Sequence, residues 1–373
     1  SLQRREWWSI MSDRVRSLVA ACVVAGIVLF IGVAVGAQAP VLTPAEIVAR
    51  GLEADSDLKI AELTLDNAKI AYDRSVASNL VGGSPAALRA AEIEWLKAQA
   101  SYRNQVADAV ISLFQEAIDL RRAEIEAEVE KIRLDLARLE YERAQERFRA
   151  QIANEDAVVE AELAMVGREL TYDEESIALE NAKESLGNRI GLDDFSLGAM
   201  PDLVDYDPDV EQALRLIREA SAELKESQYN VENAELELER LRIENAPALD
   251  IRQATNNLEM AKIRLAAVEE QLEKSVASAA RAIARAKVNY EIASRQYELA
   301  QRRLEMTRRQ AEAGFVTQDA VSNAEIALLE AESARLEALK NHGAAVLNFQ
   351  KLIGEDVTKS VVLRGGANEE AEQ

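Results

Sequence analysis

No proline interrupts the chain between Ala86 and Met200, and none follows Pro247. A proline inside a helix costs about 3 kcal/mol, so two very long stretches are free to run as unbroken helix. The six prolines instead mark where helices start or turn. Pro44 suits a first helical turn behind a Thr43 cap. Pro85 closes the turn Leu80-Val81-Gly82-Gly83-Ser84-Pro85, and Pro247 sits in Ala246-Pro247-Ala248. Pro201 and Pro208 lie in a linker rich in Asp, Gly and Pro. The first half thus predicts three helical segments, about Thr43 to Asn79, Ala86 to Ala150 and Glu155 to Asn188. At 1.5 Å per residue these are about 55, 98 and 51 Å long, so two short helices laid end to end match one long helix.

The second half repeats this plan. Ala153 to Leu163 aligns without gaps on Val316 to Ile326, and each copy is followed at the same distance by an Ile-Gly pair, Ile190-Gly191 and Ile353-Gly354. Leu58-Lys59 and Asn67-Ala68 recur as Leu224-Lys225 and Asn233-Ala234, and Val106-Ala107 recurs as Val276-Ala277. The offset is 166 at the first of these, 170 at the last and 163 at Ala153. That fall predicts a second long helix one heptad shorter than the first, a change that keeps an apolar seam in register. Such seams are present: Ile125, Val129, Ile132, Leu136 and Leu139 in one half, and Leu258, Ala261, Leu265, Val268 and Leu272 in the other. Their 3.5-residue period is that of coiled coils. Ala, Glu, Leu and Arg dominate the composition, as long helices require. The fold class read from these features is all-α, two tandem repeats of long coiled-coil hairpins. Its divisions are 1–37 as an N-terminal leader, 38–194 as the first repeat, 195–209 as a linker, 210–356 as the second repeat, and 357–373 as a disordered polar tail. Thin two-stranded rods cannot bury their seams alone, so assembly with further copies is expected.

Each half ends in a helical tip. In Ala313-Gly314-Phe315-Val316-Thr317-Gln318-Asp319-Ala320, Gly314 can stop one helix at positive φ. Thr317 can then cap the next, and Asp319 adds negative charge to its first turn. The other copy reads Ala150-Gln151-Ile152-Ala153-Asn154-Glu155-Asp156, with Gln151 where Gly is expected.

Arg14 and Arg16 precede the apolar run Leu18 to Gly36, and Val35-Gly36-Ala37 supplies small residues for cleavage before Gln38. This reads as a secretory signal leading to the periplasm. The alternative is a retained inner-membrane anchor, since 19 helical residues span about 28 Å. Val19-Ala20-Ala21-Cys22 resembles a lipoprotein box only superficially, because the apolar run lies mostly after Cys22. The formal charge of −22 argues against nucleic acid as a partner.

Little in the chain could carry chemistry. His342 is the only histidine; beside Gly343 it reads as a cap or surface residue, and a metal site needs several ligands. The carboxylates fall along helix faces near Arg or Lys at i+3 or i+4, which reads as solvated ion pairing. Trp95, Tyr102 and Phe114 on one helix read as packing. No phosphate-binding glycine loop and no strand is evident. No enzyme activity, cofactor or metal is expected.

The ordered set of features resembles the TolC family of outer-membrane efflux proteins over about Leu42 to Asp356. It comprises the duplicated halves, the two tips, the terminal Ile-Gly pairs and the repeat-opening patterns. The resemblance implies a homotrimer forming an α-helical efflux conduit across the periplasm, associated with the outer membrane. It also implies docking of the tips onto a periplasmic adaptor (membrane fusion protein) of an inner-membrane pump. By position the docking residues would be Gly314, Phe315, Thr317 and Asp319, with Gln151, Ile152, Asn154 and Asp156 in the first copy. The chain departs from the family at the other end. Members insert barrel-forming β-hairpins between the first two helices of each half, and a membrane-spanning strand needs about 9–11 residues. The inserts here, Leu80 to Pro85 and Glu244 to Leu249, cannot hold two such strands. The helical tube is therefore expected without the barrel. The competing expectation is a structural coiled-coil spacer or tether in the cell envelope.

Overall fold

The computed structural model describes residues 40–82 and 84–364. The expected signal or anchor, 1–37, lies outside them. Strand β1 (Val41–Leu42) leads into α1 (Pro44–Ala54), α2 (Ser56–Leu80), α3 (Pro85–Arg149) and α4 (Glu155–Ile190). Strand β2 (Ser196–Leu197) is followed by α5 (Val210–Ala220), α6 (Ala222–Ile243), α7 (Ala248–Glu312) and α8 (Gln318–Ile353). A 3-10 turn (Val357–Lys359) and the short α9 (Val361–Arg364) come last. The described residues are almost wholly helical, as the proline placement requires; the one sheet is a parallel pairing of Val41 with Ser196 and Leu42 with Leu197.

The two halves match helix for helix, but not as the sequence offsets implied. Helices α3 and α7 each hold 65 residues, and α4 and α8 each hold 36. The second long helix is therefore not a heptad shorter. The length difference falls in α2 and α6, which have 25 and 22 residues. Matching Val106 to Val276 aligned one apolar spacing with another a heptad away. At the offset that joins the helix starts, Pro85 and Ala248, the counterpart of Val276 is Leu113, and both are fully buried.

The expected single segment from Thr43 to Asn79 is two helices. Thr43 and Glu46 form a reciprocal cap on α1, the Thr43 N–H donating to the Glu46 carboxylate at 2.8 Å. Asp55 then ends α1 and caps α2, its Oδ1 accepting from the Asp57 and Leu58 N–H groups at 2.8 and 3.2 Å. Ser221 makes the same break between α5 and α6, its hydroxyl accepting from the Leu224 N–H at 3.1 Å. Short polar residues compete for backbone donors in this way, which is why they interrupt helices. The breaks free α1 to pack on α3 and α4, and α5 to pack on α7 and α8.

Those packings build the main core, a girdle partway along the long helices. Phe114, Leu113 and Ile118 of α3 meet Ile47 of α1, Phe195 of the inter-repeat segment, and Leu347 and Phe349 of α8, all essentially without solvent exposure. Burying each such side chain stabilises the fold by about 1.5–3 kcal/mol. The residues from Val357, expected as the start of a disordered tail, are ordered as far as Arg364 and place Val357, Val362 and Leu363 in the same core. Apolar residues spaced 357, 362 and 363 amid polar ones are enough to dock a short helix, which composition alone hides.

His342 is not a surface residue. It is buried in α8 with Nε2 lacking a hydrogen-bond partner among the described residues. Burial pushes its imidazole pKa down, Lys287 adds to that shift, and Asp205 opposes it. Next to it, Gly343 lets α8 approach α3: a Cβ there would lie 2.5 Å from Phe114 Cε1.

Along the long helices α3 lies between α4 and α8, and α8 lies against α7. Six ion pairs among the described residues tie α3 to α8; beside Arg121–Glu332 at 3.9 Å, five form a ladder: Asp108–Lys351, Asp119–Lys340, Arg122–Glu337, Arg133–Glu330 and Arg143–Asp319. The residue numbers fall on one helix as they rise on the other, so the two run antiparallel over this length. Local i+3 and i+4 pairs also occur, as expected. The interhelical ones were not legible because sequence spacing says nothing about which helix stands opposite.

Candidate docking tips and protomer edges

Both tips close with the same backbone motif. In the second, Gly314 sits at φ 77°, its N–H donating to the Ala311 carbonyl at 2.9 Å. The Phe315 N–H donates to the Gln310 carbonyl, also at 2.9 Å. In the first, Gln151 takes φ 60° and makes the equivalent bond to Phe148 at 2.9 Å, while Ile152 donates to Arg147 at 2.8 Å. This paired arrangement satisfies carbonyls that the helix end leaves open. Gln151 thus occupies the glycine position without changing the turn, at a strain cost of roughly 1–2 kcal/mol.

The caps differ. Asn154 accepts from the Ala157 N–H at 3.2 Å and donates to Asp156 at 3.1 Å. Thr317 holds the cap position in extended backbone but makes no side-chain cap bond, contrary to expectation. Asp319 does more than line a first turn. Its carboxylate receives both ends of the Arg143 guanidinium, Nη2 to Oδ1 at 3.0 Å, and Arg143 also reaches Glu140 at 2.6 Å. The hydrogen bonds from Arg143 hold the Asp319 carboxyl below the usual carboxylate range. Arg143 is six residues from the end of α3, so this clamp sets the second tip beside the last turns of the first hairpin. Sequence reading missed Arg143, because its partner is 176 residues away. Phe315 is 82% exposed and Ile152 78%, so neither staples its turn to its own helices.

The outer edges carry a second feature that sequence reading passed over. On α4, Val159, Leu163, Val166, Leu170 and Ile177 are exposed at heptad spacing. On α7, at the opposite edge of the helix layer, Val288, Ile292, Leu299 and Met306 are exposed at the same repeat. Beside the α7 stripe lies a groove between α7 and α8, floored by Ala324, Ala327 and Ala331. The 3.5-residue spacing was available in the sequence, but a seam turned inward and one turned outward read alike.

No family model matches this chain, and no curated protein does. Solved structures match its fold. The Campylobacter jejuni CmeC outer membrane channel superposes with a TM-score of 0.58 at 13% identity, over 86% of this chain and 88% of that one. The outer-membrane channel OprN gives 0.57 at 16% identity, over 84% and 90%. The outer membrane protein VceC of Vibrio cholerae gives 0.53 at 12% identity, over 84% and 96%. With the tandem repeat, the antiparallel long hairpins and the paired tips in place, the described residues have the fold of the helical part of TolC-like outer-membrane channels.

Proposed function

We propose that the protein is a component of an export conduit. Three copies close into an α-helical tube in the periplasm, associated with the outer membrane, and its tips dock onto a periplasmic adaptor of an inner-membrane pump. The observation that carries this reading is the pair of unlike apolar stripes on α4 and α7. A stripe that pairs with itself gives a closed dimer. A stripe that pairs with a different one passes the contact to the next copy, and closes as a ring when the rotation fits. The alanine-floored groove beside the α7 stripe offers a seat for large side chains of a neighbouring α4. Outer-membrane channels as structural neighbours support the same reading. Exposed Phe315 and Ile152 supply the kind of apolar anchor that a docking contact needs.

The experiment is sedimentation of two edge variants, Leu163→Glu with Val166→Glu on α4, and Leu299→Glu on α7. Each alone should be monomeric where the unsubstituted protein is a trimer. Mixed, they should form one-to-one dimers through their two intact edges and grow no further. An unsubstituted protein that stops at an open dimer, or a variant that still forms rings, would overturn the conduit reading in favour of a structural spacer.

A further inference from the structure

The two outer edges differ in charge. Helix α4 carries ten carboxylates and three basic residues. All three basic side chains are engaged within the protomer, Arg168 with Glu130 at 3.5 Å, Lys183 with Asp194 at 2.7 Å, and Arg189 with Glu116. Of the carboxylates only Glu169 has an ion pair among the described residues, with Arg138. Glu162, Asp173, Glu180 and Glu184 are exposed and stand three, four or seven residues from members of the apolar stripe, so they flank it on one face. Helix α7 is the reverse. Arg281, Arg285, Arg295 and Arg303 are exposed, flank the α7 stripe at the same spacings, and have no ion pair among the described residues. The other basic residues of this stretch, Lys287, Arg302, Arg308 and Arg309, do have partners. A chain of formal charge −22 thus leaves four guanidiniums unneutralised along one edge.

The two edges also share one spacing. Counting away from the tip along α7, Arg303, Leu299, Val288, Arg285 and Arg281 lie 3, 7, 18, 21 and 25 residues from Met306. Counting away from the tip along α4, Glu162, Val166, Ile177, Glu180 and Glu184 lie 3, 7, 18, 21 and 25 residues from Val159. One antiparallel register therefore sets apolar against apolar three times and arginine against glutamate three times. It also brings Glu155, the first residue of α4, opposite Gln310, two residues from the end of α7. Only Ile292 and Arg295 are crossed, level with Asp173 and Leu170, and each has its match three residues away, about 4.5 Å along the helix. A slide of one heptad one way sets Leu299 and Val288 against Asp173 and Glu184. The other way it sets Arg281 and Arg295 against Ile177 and Leu163.

We propose that the α7 edge of one copy takes the α4 edge of the next in this register, with Arg303 on Glu162, Arg285 on Glu180 and Arg281 on Glu184. The inference rests on the edge-to-edge contact proposed above, and adds to it what selects the partner helix and its level. Copies standing side by side with their tips the same way present α4 and α7 antiparallel, as the register requires. The apolar stripes alone do not select, since either can pair with itself. The charges do. An α7 edge against an α7 edge gathers unneutralised arginines, and an α4 edge against an α4 edge gathers carboxylates, so both self-pairings are disfavoured. Only unlike edges answer each charge. Charges beside a coiled-coil seam set partner and orientation in this way, and they fix register more than they raise affinity.

The test is cross-linking between copies in a Cys22→Ser background, which leaves the added thiols as the only ones. Val166→Cys with Leu299→Cys in one chain, oxidised with copper phenanthroline, should give covalent multimers. Its two thiols lie at opposite edges of one protomer and meet only across the contact. Val159→Cys with Leu299→Cys, one heptad out, should stay unlinked. Separately, Arg281→Glu, Arg285→Glu and Arg303→Glu together should weaken association about tenfold or more, and so should Glu162→Arg, Glu180→Arg and Glu184→Arg. All six positions are exposed, so helical content and melting temperature should not change. Both sets in one chain should associate as the unsubstituted protein does. Linkage only in the shifted pair would overturn the register. Reversals that leave association unchanged, or a doubly reversed chain that stays apart, would overturn the ionic selection. Each of those results leaves the conduit reading in place, which falls instead with an unsubstituted protein that joins through no α4–α7 contact.

Discussion

Replacing Gly343 by Ala tests whether α3 and α8 are held in contact by the absence of one carbon. The new Cβ would lie 2.5 and 2.6 Å from Cε1 and Cζ of Phe114 and 3.1 Å from Val362 Cγ1. Carbon contacts are comfortable near 3.5–4.0 Å, so something must move by about 1 Å. The Phe114 ring has no free side, being completely buried. Overpacking of this kind costs about 1–3 kcal/mol, while Ala in place of Gly in a helix returns about 1 kcal/mol. The net expectation is a loss of up to about 2 kcal/mol. The background Phe114→Leu removes the two offending ring atoms. There the same Gly343→Ala change should become stabilising by up to about 1 kcal/mol, because the helix-propensity gain is then offset only by the 3.1 Å approach to Val362 Cγ1. The coupling in the four-way cycle should then be about 1–3 kcal/mol, well above the additivity expected of independent sites. Urea denaturation of the four proteins, followed by helical circular dichroism, measures it. If Gly343→Ala has the same effect in both backgrounds, or stabilises the unsubstituted protein, the close approach of α3 and α8 is not what constrains this position.

Three further expectations can be checked on the same preparations. His342 is disfavoured as a cation in the folded state, so its folded pKa lies below the unfolded value of about 6.5. Stability is then fully present above that value and is lost as pH falls below it, by at most about 1.4 kcal/mol per pH unit. Urea midpoints between pH 7 and 5.5 should fall less in His342→Gln than in the unsubstituted protein; equal slopes would show that the imidazole plays no part. Gln151→Gly should relieve left-handed strain and leave a net gain of up to about 1 kcal/mol after the entropy of glycine is counted, and Gly314→Gln should lose a similar amount. Equal midpoints for both would mean the two turns are not strained alike. Phe315→Ala should change stability by less than about 0.5 kcal/mol, as surface substitutions do, yet reduce capture of a periplasmic adaptor in a pull-down. A loss nearer the roughly 3–5 kcal/mol of a buried Phe truncation would return Phe315 to a structural role.

What the sequence disclosed was local. Proline placement marked the first long helix to within a residue, though the repeat offset misjudged the length of the second, and the Ile-Gly pairs marked helix ends where Ile190 and Ile353 are buried and Gly191 and Gly354 take positive φ. The tips were legible for the same reason, since glycine, a polar cap residue and an acidic first turn leave a signature within eight residues. What stayed hidden depends on a neighbour. His342 looked like a cap or surface residue because it stands beside Gly343, but the girdle covers it. Asp55 and Ser221 looked like ordinary helix residues, and become breaks because α1 and α5 have surfaces to turn toward. Arg143 gave no sign of its partner, and the outward stripes on α4 and α7 looked like any other seam.

The ladder between α3 and α8 has one further consequence. Its sign reverses partway: Asp108 and Asp119 put acid on α3 facing lysines, whereas Arg122, Arg133 and Arg143 put base on α3 facing carboxylates. Each exposed pair contributes little, about 0–1 kcal/mol. The order matters more than the sum. If α8 lay along α3 in the opposite direction, Lys351 would approach the arginine end and Asp319 the acidic end, setting like charges against each other. The two hairpins carry a direction of closure written in charge, so that a chain whose halves are near copies can still tell which way its second half must lie down.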